Sequence, residues 1–192
     1  MRLHHLNSIG TVTLETSRLI LSKIGPEDAE HMYNNWANDS EVTKYMTWEP
    51  HDSVGVTRQI LENWSNHYDN GNFFHWAIRL KGTGMPIGTI SLLDVSDARL
   101  SCELGYCIGQ KWWHQGYMSE AALEVLKFAI NQVGFVRVQA EHCGSNPNSG
   151  GVMRKIGMTY EGIRRKAFVT TFNTVEDLHM YAFVAGDSWV EI

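Results

Sequence analysis

The sequence predicts a mixed α/β domain: one sheet with helices packed on both of its faces. Two observations carry that expectation. Short stretches of alternating or β-branched apolar residues recur between stretches whose apolar residues repeat at helical spacing. Their order is strand, helices, three strands, helix, strand, helix and two strands, with no internal repeat and no linker.

Residues 11–24 read as a strand, with Val12, Leu14, Leu19 and Leu21 as its apolar positions. Pro26 opens a helix at its first turn, and Glu27, Asp28 and Glu30 stand where negative charge suits the helix dipole. That helix is expected to run to about Trp36, with a second short helix over 39–45. Ser53 is placed to cap a third that reaches about Tyr68, and Asn70-Gly71 ends it. Residues 73–80, 86–93 and 100–108 are short strands. The clearest helix covers 116–132, where Met118, Ala122, Val125, Leu126, Ala129 and Ile130 form one apolar stripe and Gly134 supplies the stop. Residues 135–140 are a strand, 146–156 a helix closed by Gly157, and 158–169 and 174–184 the final strands.

A chain of 192 residues can bury a full core without a disulfide or metal staple. We expect one domain over 11–187, preceded by an N-terminal extension at 1–10. With 16 Lys and Arg against 21 Asp and Glu, the net charge of −5 argues against a nucleic-acid partner. The first ten residues lack the apolar stretch of a signal peptide, and no apolar run approaches the roughly 20 residues that span a bilayer. Cys102, Cys107 and Cys143 are odd in number and lack CxxC spacing. On one strand Cys102 and Cys107 would face opposite ways, so they could not share a metal. The expectation is a cytoplasmic protein with no metal site and no membrane partner.

Two strand-to-helix junctions stand out. In Tyr106-Cys-Ile-Gly-Gln-Lys-Trp-Trp-His-Gln-Gly-Tyr-Met-Ser-Glu-Ala121 a strand passes through a loop at Gly116 into the strong helix. A helix N-terminus has unpaired N–H groups and partial positive charge, so this turn is a natural anion site; Gly116 would admit a phosphate closely and Ser119 could add a hydroxyl. The same residues also satisfy an ordinary turn with Glu120 favouring the dipole. Neither GxGxxG nor GxxxxGK[ST] is present, so a dinucleotide or P-loop reading lacks its fingerprint. At the second junction Asn146 and Ser149 lie one turn apart, where they can cap the helix or point at a ligand between the two helices.

Together the junctions resemble the GNAT superfamily of acyl-CoA-dependent N-acetyltransferases, most closely its ribosomal-protein N-terminal (alanine/serine) acetyltransferase branch. Thr16-Ser-Arg-Leu-Ile-Leu21 is similar to that branch's T-x-R-L-x-L, and Glu103-Leu-Gly-Tyr-Cys-Ile108 to its E-L-G-Y-x-I. Trp113-His-Gln-Gly-Tyr-Met-Ser-Glu-Ala121 is similar to W-G-K-G-Y-A-T-E-A, and Asn146-x-x-Ser149 with Lys155-Ile-Gly-Met158 to N-x-x-S…K-x-G-F. The resemblance spans about residues 11–184. It implies a seven-stranded, mostly antiparallel sheet splayed between strands 4 and 5, with acetyl-CoA as co-substrate and an amine acceptor, a protein N-terminus or a small molecule.

By that resemblance, Tyr106, Cys107 and Ile108 offer backbone groups to the pantetheine arm. The amides of His114, Gln115, Gly116, Tyr117, Met118 and Ser119 hold the pyrophosphate, and Asn146 contacts the cofactor near its thiol. Met118 departs from the Gly or Ala of the superfamily motif, which would narrow the phosphate turn. Met153 stands where many relatives carry a tyrosine acid, so that role passes to Ser149, the residue the branch uses.

Acetyl transfer needs a deprotonated amine, donors for the thioester oxygen and support for the departing thiolate. Glu103 is the candidate base, directly or through water; otherwise it is a strand glutamate or half of an ion pair. Asp177 and Tyr181 follow, and His142 and His179 are further bases. Trp36, Tyr45 and Trp48 lie in the variable helical region, where aromatics clamp an amine or simply pack. A non-catalytic acyl-CoA-binding or sensing module is the alternative, and a homodimer is compatible with the sequence.

Overall fold

The computed structural model describes residues 5–191. The first four positions of the expected extension therefore lie outside the described residues. Eight strands form one sheet: β1 Leu14–Glu15, β2 Leu19–Ser22, β3 Phe74–Leu80, β4 Pro86–Ser96, β5 Ser101–Ile108, β6 Arg137–Cys143, β7 Thr159–Val169 and β8 Val175–Val184. Their spatial order is β1-β2-β3-β4-β5-β6-β8-β7, and all neighbours are antiparallel except β5 and β6. The count exceeds the expected seven because the first strand breaks in two. Thr16 Oγ1 accepts the Leu19 amide at 3.0 Å, and this local turn folds Leu14 back onto Leu21.

Between β2 and β3, a 3₁₀ turn at Pro26–Asp28 leads into α1 Ala29–Met32, which continues as a π turn over Tyr33–Ala37. Then come α2 Ser40–Thr43 and α3 Val54–Ser65. Asp39 caps α2 through the Glu41 amide at 2.9 Å, and Ser53 caps α3 through the Val56 amide at 3.3 Å. The other two helices are α4 Tyr117–Phe128, prolonged by a π turn to Val133, and α5 Pro147–Lys155. Gly134 and Gly157 end these segments with φ of 92° and 88°, the left-handed stop that glycine provides without strain.

The sheet separates two apolar cores. Met118, Ala122, Val125, Leu126 and Ala129 of α4 pack with Met153 and Ile156 against one face. Met32, Trp36, Val42 and Leu61 of α1–α3 cover the other. β3 and β4 lie between both layers, which explains the near-continuous burial of Phe74 to Ile78 and Pro86 to Leu92. A bidentate Arg79–Asp28 pair at 2.9 and 2.7 Å pins the start of α1 to β3. Among the described residues no helix is long and apolar enough to cross a membrane.

His51, His75 and His142 are all buried, and burial lowers the pKa of each, His75 to about 4. His75 is held by Ser91 Oγ at 2.5 Å and its ring lies 4.2 Å from that of Trp64. An unfolded histidine takes its proton near pH ~6.5, whereas this folded one refuses it until about 4. Stability is therefore complete above pH ~6.5 and falls as the pH drops toward 4. Urea unfolding across this interval is expected to show a loss of about 1.4 kcal/mol per pH unit for each such proton, with a shallower slope in His75→Gln.

Candidate active site

The parallel pairing of β5 with β6 lasts for three rungs, Ser101↔Arg137, Cys102↔Val138 and Glu103↔Gln139. Beyond them β5 continues along β4 as far as Gly88↔Ile108, and β6 continues along β8 as far as Cys143↔Leu178. Each strand keeps its outer partner and loses its inner one. A cavity of about 610 Å³ occupies the opening. Its walls come from both layers: Tyr117, Asn146 and Ser149 on one side, Val42 and Tyr45 on the other. The opening is thus a slot through the sheet.

One end of the slot is built to hold an anion. After β5 a 3₁₀ turn at Gln110–Trp112 leads to His114 at φ 59° and Gly116 at φ 81°, which swing the chain into α4. The first intrahelical bond is Glu120 N–H to Gly116 O at 3.0 Å, so the amides of Tyr117, Met118 and Ser119 have no helical acceptor. A β-carbon on Gly116 would lie 3.5 Å from Arg18 Nη2 and 3.8 Å from Lys155 Nζ, in the space between two cations. Amides, helix dipole and cations converge there. Met118 is 6% exposed and packs with the core on the inner side of α4, and it also forms part of the cavity wall. His114 borders the cavity, while the Gln115 side chain turns back and donates from Nε2 to the Lys111 carbonyl at 2.8 Å.

Glu120 holds this turn in place. Its Oε1 accepts from Thr16 Oγ1 at 2.5 Å, the Arg18 amide at 2.9 Å and Ser17 Oγ at 3.0 Å. Its Oε2 accepts from Arg18 Nε at 2.6 Å. Arg18 in turn donates to the Gln115 carbonyl at 3.1 Å and stacks 4.3 Å from the Tyr117 ring centre. Burial alone would raise the Glu120 carboxyl, but these donors outweigh it and hold it below the usual range. Arg18 and Lys155 were missed as site residues from sequence. Both belong to the quoted motifs, but nothing local brings residue 18 to residue 116.

α5 supplies the other wall. Asn146 occupies the N-cap position, yet its side chain makes no capping bond and borders the cavity. The Ser149 hydroxyl lies 3.1 Å from that of Tyr106, whose ring packs against the core on the α4–α5 face. Met153, one turn on, is 1% exposed in the core. His142 lies under the helix. A β-carbon on Gly150 would collide with its imidazole, so glycine permits the close approach of α5 to β6.

Glu103 stands at the last paired rung, on the face opposite Tyr106. Gln139 Nε2 donates to its carboxylate at 3.3 Å. Burial, then the neighbouring Glu141, raise its pKa. Cys107 reaches the cavity from the α1–α3 side, with Thr89 Oγ1 3.3 Å from its sulfur. The Ile108 carbonyl already accepts the Trp113 indole N–H at 2.8 Å. Tyr45 borders the slot and donates to the Ser145 carbonyl at 3.0 Å.

The remaining acceptor candidates lie elsewhere. Trp36 is fully buried, because the π turn of α1 directs it into the core, and it offers no surface to a ligand. Trp48 packs beside His51, ring centres 5.2 Å apart. The Asp177 carboxylate accepts the Lys166 amide at 2.7 Å and so staples the β7–β8 hairpin. Tyr181 is 4% exposed and accepts from Arg154 at 2.9 Å. His142 donates from Nδ1 to the Cys143 carbonyl at 2.8 Å and stacks on His179, ring centres 5.1 Å apart. No group of three His, Cys, Asp or Glu that could hold a metal ion occurs among the described residues.

Comparison with known proteins bears on this arrangement. The Acetyltransferase (GNAT) domain family matches residues 18–159. An uncharacterized N-acetyltransferase of Bacillus subtilis, YoaA, is 29% identical over 171 residues, 89% of this chain and 96% of that one. The [ribosomal protein uS5]-alanine N-acetyltransferase of Escherichia coli is 25% identical over 162 residues, 81% of this chain and 82% of that one. A GNAT-family acetyltransferase from Bacillus anthracis superposes with a TM-score of 0.78 at 25% identity, covering 90% of this chain and 98% of that one. A ribosomal-protein alanine acetyltransferase from Vibrio fischeri shares the fold with a TM-score of 0.80 at 18% identity, over 94% and 100% of the two chains. With its slot, its anion-binding turn and a family match across most of its length, the chain belongs to the GNAT acetyltransferase family and is an N-acetyltransferase.

Proposed function

We propose that the chain transfers acetyl from acetyl-CoA directly to a primary amine, a protein N-terminus or a small-molecule amine, within a ternary complex. The observation that carries this reading is the slot itself, open through the sheet, with an anion-binding turn at one end. The residues present fit such a donor. The Tyr117–Ser119 amides with Arg18 and Lys155 would hold its pyrophosphate, and the unpaired inner edge of β5 from Gly105 to Ile108 would meet its amide-bearing arm. Asn146, its side chain free of capping, would position the arm near the thiol. Residues 11–187 would act as one catalytic unit.

The two faces of the slot divide the chemistry. Glu103 shares the β5 face of Cys107 but stands at the last paired rung, outside the residues that line the cavity, and an acceptor would arrive from that face past Tyr45. Desolvation strengthens Glu103 as a base, and it takes the amine's proton directly or through one water. Tyr106 and Ser149 lie on the α4–α5 face, so the hydroxyl of Ser149 serves the departing sulfur. Backbone amides of β5 serve the thioester oxygen, and holding both reactants in the slot supplies much of the rate.

A screen that measures free thiol released from acetyl-CoA should give turnover with at least one class among N-terminal peptides, polyamines and aminoglycosides. Binding without release across the whole panel would favour a sensing module instead. With an accepted amine, Glu103→Gln is expected to lower kcat by roughly a hundredfold or more. Wild-type activity should fall as the pH drops through the Glu103 pKa, above the usual glutamate range, and this limb should vanish in Glu103→Gln. Lys155→Ala is expected to raise KM for acetyl-CoA about tenfold and leave KM for S-acetyl-pantetheine, which lacks the pyrophosphate, unchanged.

A further inference from the structure

Ser149 does not act on its own. The Tyr106 phenol lies 2.9 Å from the Ser149 backbone carbonyl and 3.1 Å from Ser149 Oγ. A carbonyl can only accept, so the shorter bond is donated by Tyr106. With its one hydrogen engaged there, the Tyr106 oxygen accepts from Ser149 across the longer contact. The serine hydrogen is thereby directed along the slot wall toward Tyr106. If Tyr106 redirects its hydrogen from the carbonyl to Oγ, the serine hydrogen is freed to point into the slot. The two hydroxyls thus have two hydrogen-bonded arrangements, and one of them presents a donor to a group in the cavity.

We infer that Tyr106 is a positioning residue, whose hydroxyl turns and holds Ser149 Oγ as a hydrogen-bond donor to the sulfur that departs in acetyl transfer. This rests on the proposed reaction with acetyl-CoA. Burial pushes the Tyr106 phenol well above its ordinary value, so passing its proton on to a thiolate, the conjugate base of a stronger acid, would be uphill. The pair therefore stabilises a thiolate by hydrogen bonding; no O–H bond breaks, and the sulfur leaves with its electron pair. Met153, buried one turn beyond Ser149, contributes no hydroxyl, so the group that orients Ser149 comes from the strand.

The ionisation of bound CoA tests this directly. Its thiolate absorbs in the ultraviolet, and the desulfo-CoA complex serves as the blank. Bound to wild type, the thiol should ionise at lower pH than when bound to Ser149→Ala. In Tyr106→Phe the midpoint should rise toward the Ser149→Ala value by about one pH unit, a tenfold change, with CoA affinity preserved. The Tyr106→Phe, Ser149→Ala double variant should show no further rise. Steady-state kinetics should give a roughly tenfold lower kcat in Tyr106→Phe at unchanged KM for acetyl-CoA. An unmoved midpoint in Tyr106→Phe, or additive shifts in the double variant, would overturn the inference while leaving acetyl transfer standing. Failure of CoA to bind wild type would remove both.

Discussion

Backbone N–H and C=O groups must be paired when they leave water, and the strand pair β5–β6 departs from that rule over half its length. Three rungs hold the strands together, and past Glu103↔Gln139 neither has an inner partner. The sheet tolerates this because each strand is secured on its outer side, β5 by β4 and β6 by β8. The helices also keep the strands apart. α5 lies close over β6 through Gly150 and His142, and the Trp113 indole binds the β5 terminus at Ile108. A row of backbone groups is left facing a cavity. Most other features of the site adjust what enters this opening.

The anion turn shows how a local motif depends on a distant one. A helix N-terminus offers only partial charge, and Glu120 sits in its first turn where a carboxylate would oppose an anionic ligand. Four donors from 16–18 neutralise and turn that carboxylate away, so Arg18 Nη2 and Lys155 Nζ dominate the field above Gly116. Thr16 joins two of these devices: its hydroxyl donates to Glu120 and accepts the Leu19 amide in the turn that separates β1 from β2.

Much of the architecture was legible because it follows periodicity. The α4 stripe, the glycine stops at Gly134 and Gly157, and the cap at Ser53 are local devices, and each appears where its pattern places it. The orientations of single side chains were not legible. Asn146 has the composition of a cap yet leaves the helix uncapped, Met118 departs from the small residue of its motif yet buries its side chain, and Trp36 is drawn into the core by a π turn that no sequence pattern announces. Arg18 and Lys155 needed the tertiary contacts that bring separate chain segments together over Gly116. Glu103 could be named from its motif, but the Gln139 and Glu141 that set its environment come from another strand.

The division of the slot into two faces gives burial two different uses. On the α1–α3 face desolvation acts on the Glu103 carboxylate, destabilises its charged form and, in the proposed reaction, would make it a better proton acceptor. On the α4–α5 face the same physics acts on a phenol, keeps it protonated and preserves it as a donor. In the proposed reaction, an open site would weaken Glu103 as a base and let water compete with Ser149 for the sulfur. A proton acceptor on one side and hydrogen-bond donors on the other suit a reaction in which an amine enters through one face and a thiolate departs along the other. The alternation of side chains along β5, Glu103 to one face and Tyr106 to the other, is enough to set that polarity.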